Sequence, residues 1–192
     1  AKYISKKWNL KHLDSGILYR KIAYLLLKKN INYKSINQIK MIIAQEREIS
    51  YRNSKVLRKE QISKIASQIA VYKFVRNHVN NLQKKFVRKN IKKTGFVIDG
   101  RDIGSVVFKN ANLKLYIDVN EENRAERRYK QLIDAGEKSI YQKILKEIKL
   151  RDKKDKTRKL SPLVIPNGAH IINNNHSFYK TTKQINNIMK NL

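Results

Sequence analysis

Gly95-Phe96-Val97-Ile98-Asp99-Gly100-Arg101-Asp102-Ile103-Gly104-Ser105-Val106-Val107-Phe108 is the stretch that decides the fold. An apolar run at 96–98 breaks abruptly into two acids and a base around a glycine. A strand buried on both faces reads as such a continuous apolar run, and in parallel α/β sheets ligands sit at the carboxyl ends of the strands. The charges therefore fall where a site is expected. Gly100 and Gly104 let the backbone turn or approach a ligand closely, and Arg101 offers a planar fork of donors suited to phosphate. A plain charged turn after a core strand is the competing interpretation of this stretch taken alone.

Working outward, the 192 residues suit one domain with a small insertion and can bury a sizeable core. With no cysteine, disulfides and thiolate metal sites are excluded, and a reducing, cytoplasmic location is expected. No apolar run approaches the roughly 20 residues of a membrane span, so no membrane partner is expected. The formal charge of +29 would ordinarily point to nucleic acid. Here lysine and asparagine are spread along the whole chain, as codon bias towards A and T produces, instead of gathering in a tail or on one helix face. That distribution argues against a polynucleotide partner and remains compatible with a nucleotide substrate.

The chain starts at Ala1, with residues 1–8 already helical in pattern, as if cut through an element. Residues 10–13 predict a short strand, and Asp14-Ser15-Gly16 predicts a helix cap before an apolar helix over 17–29. Ser15 and the free amides of a helix start form an anion cradle, with Arg20 a turn and a half along; Ser15 as a plain cap is the alternative. Helices are predicted at 36–43, 59–70 and 72–89, with an irregular, partly extended piece at 49–57. Residues 113–119 alternate Leu113, Leu115, Ile117 and Val119 against polar partners and predict a strand. Asn120 caps the next helix, ending near Gly136, and Ser139 with Gln142 has capping-box spacing for another. That helix runs into the charged segment 151–158, which with 159–166 has the character of a mobile lid, a solvated helix end being the alternative. A strand at 169–172 and a helix at 177–192 close the chain. Strand and helix in repetition indicate an α/β domain with a parallel sheet.

The four histidines are scattered without ligand spacing and are expected at the surface or in packing. Arginine recurs instead where structure ends: Arg20, Arg101, Arg151 and Arg158. Converging guanidinium groups suit phosphate recognition and phosphoryl transfer, where positioning and electrostatics do most of the catalysis. No glycine pair precedes the Lys-Ser/Thr of a phosphate loop. Gly95 and Gly100 have the spacing, but Arg101-Asp102 follow them and a strand lies between.

Five blocks together resemble the bacterial cytidylate kinase family. They are residues 13–20, residues 65–70 with Val75-Arg76, the stretch quoted at the outset, residues 127–132 and residues 151–158. The resemblance implies a P-loop-type nucleoside monophosphate kinase fold, an α/β parallel sheet flanked by helices, that transfers the γ-phosphate of ATP to CMP or dCMP with Mg²⁺. It implies that Ser67, Arg76 and Asp102 meet the cytosine, while Arg20, Arg101 and Arg151 hold the monophosphate. Ser15 lies near that site, Asp155 and Arg158 match ribose and lid contacts, and Asp99 joins the CMP-binding set without a specific contact. Arg101, Arg151 and Arg158 are the catalytic candidates. Arg124, Arg127 and Arg128 receive no contact, and no residue is assigned to metal.

The same resemblance implies a core of residues 1–34, 93–150 and 167–192, an inserted helical CMP-binding region at 35–92 and a lid at 151–166. The family's first strand and phosphate loop are expected before Ala1 and are missing from these residues, so the 192-residue chain is expected to be inactive. Residues 46–57 are shorter than the family's usual insertion. The expected partners are CMP or dCMP and ATP, bound by a monomer. A kinase for another small acceptor and a basic nucleic-acid-binding module are the alternatives.

Overall fold

The computed structural model describes residues 1–45, 55–90 and 95–191. The chain divides into two compact units, Ala1–Ile103 and Gly104–Leu192, each built on a two-stranded parallel sheet.

The first unit opens with α1 (Lys2–Lys7) and β1 (Lys11–Asp14), followed by α2 (Ser15–Lys28), α3 (Ile36–Gln45) and a 3₁₀ turn (Lys55–Arg58). Then come α4 (Glu60–Ile69), α5 (Lys73–Asn90) and β2 (Phe96–Asp99). Apolar residues three and four apart make each helix amphipathic. Leu18, Ile22 and Leu26 of α2 meet Ile39 and Ile42 of α3, Ile62, Ile65 and Ile69 of α4, and Val75, Val79 and Leu82 of α5 in one core. Burying each of these larger side chains contributes about 1.5–3 kcal/mol, so the packing of α2 sets the position of its N-terminus. β1 and β2 run parallel in the register Leu13↔Ile98 and Asp14↔Asp99, which places two carboxylates side by side at the strand ends.

His78, on α5, has a buried Nε2 without a hydrogen-bond partner, and burial together with Lys85 holds its pKa below the ordinary histidine value. Protonation therefore favours the unfolded chain, which binds more protons as soon as pH falls through the unfolded value. The expected result is a loss of stability on acidification below about pH 6.5. It is measured by urea melts from pH 7.5 to 5.5 and should shrink in His78→Gln.

The second unit holds β3 (Leu115–Asp118), α6 (Glu121–Ile133), α7 (Tyr141–Thr157), β4 (His170–Asn173) and α8 (Phe178–Lys190). A five-residue π-helical turn, Ile103–Val107, spans the division between the units. β3 pairs β4 in parallel, with Ile117 opposite Ile172. Asn120 caps α6 as expected, its side chain accepting from the Asn123 N–H at 2.8 Å, and Gly136 ends that segment at φ +75°. Ala125, Leu132 and Ile144 form the contact between α6 and α7, with Tyr141, Leu145 and Ile148 packed around it.

Several expectations need correction. The run at 96–98 is half-buried, because among the described residues β2 has β1 as its one strand neighbour. Ser15 is not the cap of α2 but its first helical residue; Asp14 holds the cap position, and its side chain makes no cap hydrogen bond. The Ser139–Gln142 capping box does not form, since Ile140 is the N-cap of α7 and no side chain caps it. Ile117 is 45% exposed despite its place in the alternation, as β3 packs chiefly on β4. Residues 151–157 form the last two turns of α7, in line with the helix-end alternative, with Asp152 and Asp155 buried on it. The expected extended piece at 49–57 lies mostly outside the described residues, and its described end, Lys55–Arg58, is a 3₁₀ turn. No described helix is long and apolar enough to cross a membrane.

Candidate functional site

In the first unit Ser15 follows directly on the carboxyl end of β1, and Gly100, Arg101 and Asp102 follow on that of β2. Ser15 begins α2 directly after β1 and is buried, and Gly100 lies against it. A Cβ on Gly100 would overlap Ser15 Oγ and stand 2.8 Å from Ile103 Cγ1, so any larger residue would have to displace both side chains. Arg20 follows on the same helix, half-buried, as are Ser67 on α4 and Arg101 in the turn. Arg20 and Arg101 both have interaction partners.

Arg76 and Asp102 are paired. Arg76 Nη1 donates to Asp102 Oδ2 at 2.9 Å, with side chains only 6% and 9% exposed. Two opposite charges taken out of water together are tolerable because each satisfies the other, and removing either partner leaves an uncompensated buried charge. Arg76 Nε remains without an acceptor, so the guanidinium keeps donor capacity beyond Asp102.

His12 was missed by sequence reasoning. Its Nε2 lies 2.6 Å from Asp99 Oδ1, so the histidine is neither loose surface nor apolar packing. Period-two alternation puts His12 on the same face of β1 as Asp14, whose register partner is Asp99, and that spacing was the available signal. Asp14 in turn faces Arg58 at 3.9 Å.

In the second unit Asp155 and Arg158 form a local pair. Arg158 Nη1 donates to Asp155 Oδ1 at 2.8 Å and its Nε to the Ser161 carbonyl at 2.6 Å, while Arg151 Nε lies 3.9 Å from Asp155 Oδ2. Asp155 is buried and Arg151 exposed. The neighbouring helix supplies partners that the sequence left unassigned. Arg124 makes a two-pronged bond to Asp152, Nη1 to Oδ1 at 3.0 Å and Nη2 to Oδ2 at 2.5 Å, and this hydrogen bond raises the Arg124 pKa against the opposing effect of burial. Arg127 donates to the Asn174 carbonyl at 2.8 Å. Among the described residues no group of three or more histidines and carboxylates could hold a metal ion by itself.

Parallel strands ending in carboxylates, with a helix starting directly from one strand and arginines beside both, define an α/β protein of the class that binds its ligands at strand ends. The cytidylate kinase family model matches residues 1–192, and the chain belongs to that family, whose fold is that of the P-loop-type nucleoside monophosphate kinases. The chain is similar to the cytidylate kinase of Rickettsia felis, 39% identical over 98% of this chain and 84% of the relative. It is also similar to that of Rickettsia africae, 39% identical over the same shares. The cytidylate kinase of Rickettsia canadensis is 42% identical over 88% of this chain and 75% of its own length.

Proposed function

We propose that the protein transfers the γ-phosphate of ATP to CMP or dCMP, and that residues 1–192 supply the acceptor side of that reaction. The observation that carries this reading is the match of the whole chain to the cytidylate kinase family. On this reading Ser67, Arg76 and Asp102 meet the cytosine. The pairing of Arg76 with Asp102 supports the assignment, since a buried guanidinium and carboxylate offer a donor and an acceptor to a base edge in a dry setting, where each hydrogen bond counts for more than in water. Arg20, Arg101 and Arg151 are assigned to the acceptor phosphate, with Ser15 beside it, and Asp155 and Arg158 to ribose and lid contacts.

An oxygen of the CMP phosphate attacks the γ-phosphorus as the bond to the β-bridging oxygen breaks, giving CDP and ADP. Arg101, Arg151 and Arg158 stabilise the charge spread over the transferring group, the term that dominates phosphoryl transfer. Mg²⁺ bound with ATP supplies further charge neutralisation. It takes one or two carboxylates and keeps most of its waters, so Asp14 and Asp99, register partners at the strand ends, would hold it through the carboxylate oxygens that do not face Arg58 and His12.

The finer part of the proposal concerns the donor side. These residues contain no Gly-x-x-x-x-Gly-Lys-Ser/Thr sequence to cradle donor phosphates. Residues 1–192 alone are expected to bind CMP but to turn it over at below about 0.01 s⁻¹, against about 1–100 s⁻¹ for typical kinases. Calorimetry with CMP and a coupled assay with CMP, UMP, AMP and shikimate as acceptors test both halves. Absence of CMP binding refutes the acceptor assignment, and near-normal turnover refutes the donor-side one. The inserted region at 35–92 and the lid at 151–166 are retained as part of the same proposal.

A further inference from the structure

The two halves of α7 are held in different ways. Its first half packs on α6 through Ile144, Leu145 and Ile148. From Lys149 to Thr157 the helix has no buried apolar residue: Leu150 is 59% exposed, and the buried side chains are Asp152 and Asp155. Lysines four apart, such as Lys149 and Lys153, repel along this half, which favours fraying. Two ion pairs join this half to α6. Lys149 with Glu122, at 3.4 Å, is exposed on both sides, and such pairs contribute little. Arg124 with Asp152 is of another kind, two parallel bonds to a carboxylate only 9% exposed, the geometry that gives Arg–carboxylate pairs both strength and direction. Past the helix end the chain folds back, the Leu163 N–H donating to the Asp155 carbonyl at 2.8 Å.

We propose that Arg124 and Asp152 form a brace that keeps the last two turns of α7 helical and fixed to α6. Arg124 is thereby a positioning residue for Arg151 and Asp155, the α7 side chains assigned to CMP. Residues 151–157 are then a rigid arm, and any lid movement belongs to the segment that follows Arg158. The inference rests on the acceptor reading above, and its test separates the two.

In the 192-residue chain, Arg124→Gln is expected to cut amide-exchange protection over residues 149–157 about tenfold or more, leaving α4 and α5 unchanged. It should weaken CMP binding about tenfold, equivalent to about 1.4 kcal/mol, and weaken cytidine binding by less, since cytidine keeps the ribose assigned to Asp155 but lacks the phosphate assigned to Arg151. The exchange of charges in Arg124→Asp with Asp152→Arg should restore part of both. Unchanged protection over 149–157 overturns the brace, and lost protection with unchanged CMP affinity overturns the positioning role. Should the parent chain bind CMP no better than cytidine, the acceptor reading fails, and the positioning role with it, while the exchange measurement still decides the brace.

Discussion

Asp102→Ala is expected to destabilise the first unit by about 3–5 kcal/mol, the cost of leaving a buried charge without its partner. The pair is nearly dry, and Asp102 is the acceptor the structure gives to Arg76 Nη1. With Arg76 Nε already lacking one, the guanidinium of the variant would face burial with little to bond. Urea melts of parent and variant measure the loss directly. A second variant, Arg76→Met with Asp102→Leu, removes both charges at similar volume and should recover most of the stability, since hydrophobic replacement of a buried pair is often neutral or better. CMP binding should be lost in both variants. A recovered melt without recovered binding assigns the pair to recognition. Recovery of both overturns the cytosine assignment, and an Asp102→Ala variant within about 1 kcal/mol of the parent overturns the energetic argument.

The second large effect is expected at Gly100. Its added methyl in Gly100→Ala would overlap Ser15 Oγ and crowd Ile103. Ser15 Oγ and the Ile103 side chain must both turn aside, and Ser15 is buried at the start of α2, so its hydroxyl has to find another place among packed neighbours. Overpacking of this kind costs about 1–3 kcal/mol, and here it falls on the junction of β2 and the α2 N-terminus. The variant should melt earlier and bind CMP more weakly. Pairing it with Ser15→Ala removes the worst overlap and should return part of the stability. If the double variant is no better than the single, the clash with Ser15 is not the cause.

Much of the fold was legible because its signals are local. The three-and-four spacing of apolar residues in α2, α4 and α5, the break from 96–98 into charges, and the cap at Asn120 are each contained within a few residues. The errors came where neighbours overrule local preference. Ser139 and Gln142 have the right spacing for a capping box, yet α7 starts at Tyr141, where Tyr141 and Ile144 turn towards α6. Ile117 alternates as a buried residue should, but exposure depends on what lies over the strand. The charge run after Leu150 reads as a lid or a solvated helix end, because the partner of the buried Asp152, Arg124, is 28 residues away.

The same division holds for the candidate site. The sequence by itself determined the class of protein, the parallel α/β order of elements, and the residue types placed at strand ends and helix starts, because these follow from periodicity and from the order of blocks along the chain. Only the tertiary structure decided which charges meet. Asp102 finds Arg76 on a helix 26 residues earlier, Asp99 finds His12 across 87 residues, and Asp152 finds Arg124. Partner choice among charged side chains depends on burial and on distances of a few ångströms, since an ion pair gains most where water is excluded, and neither quantity is written in the local pattern.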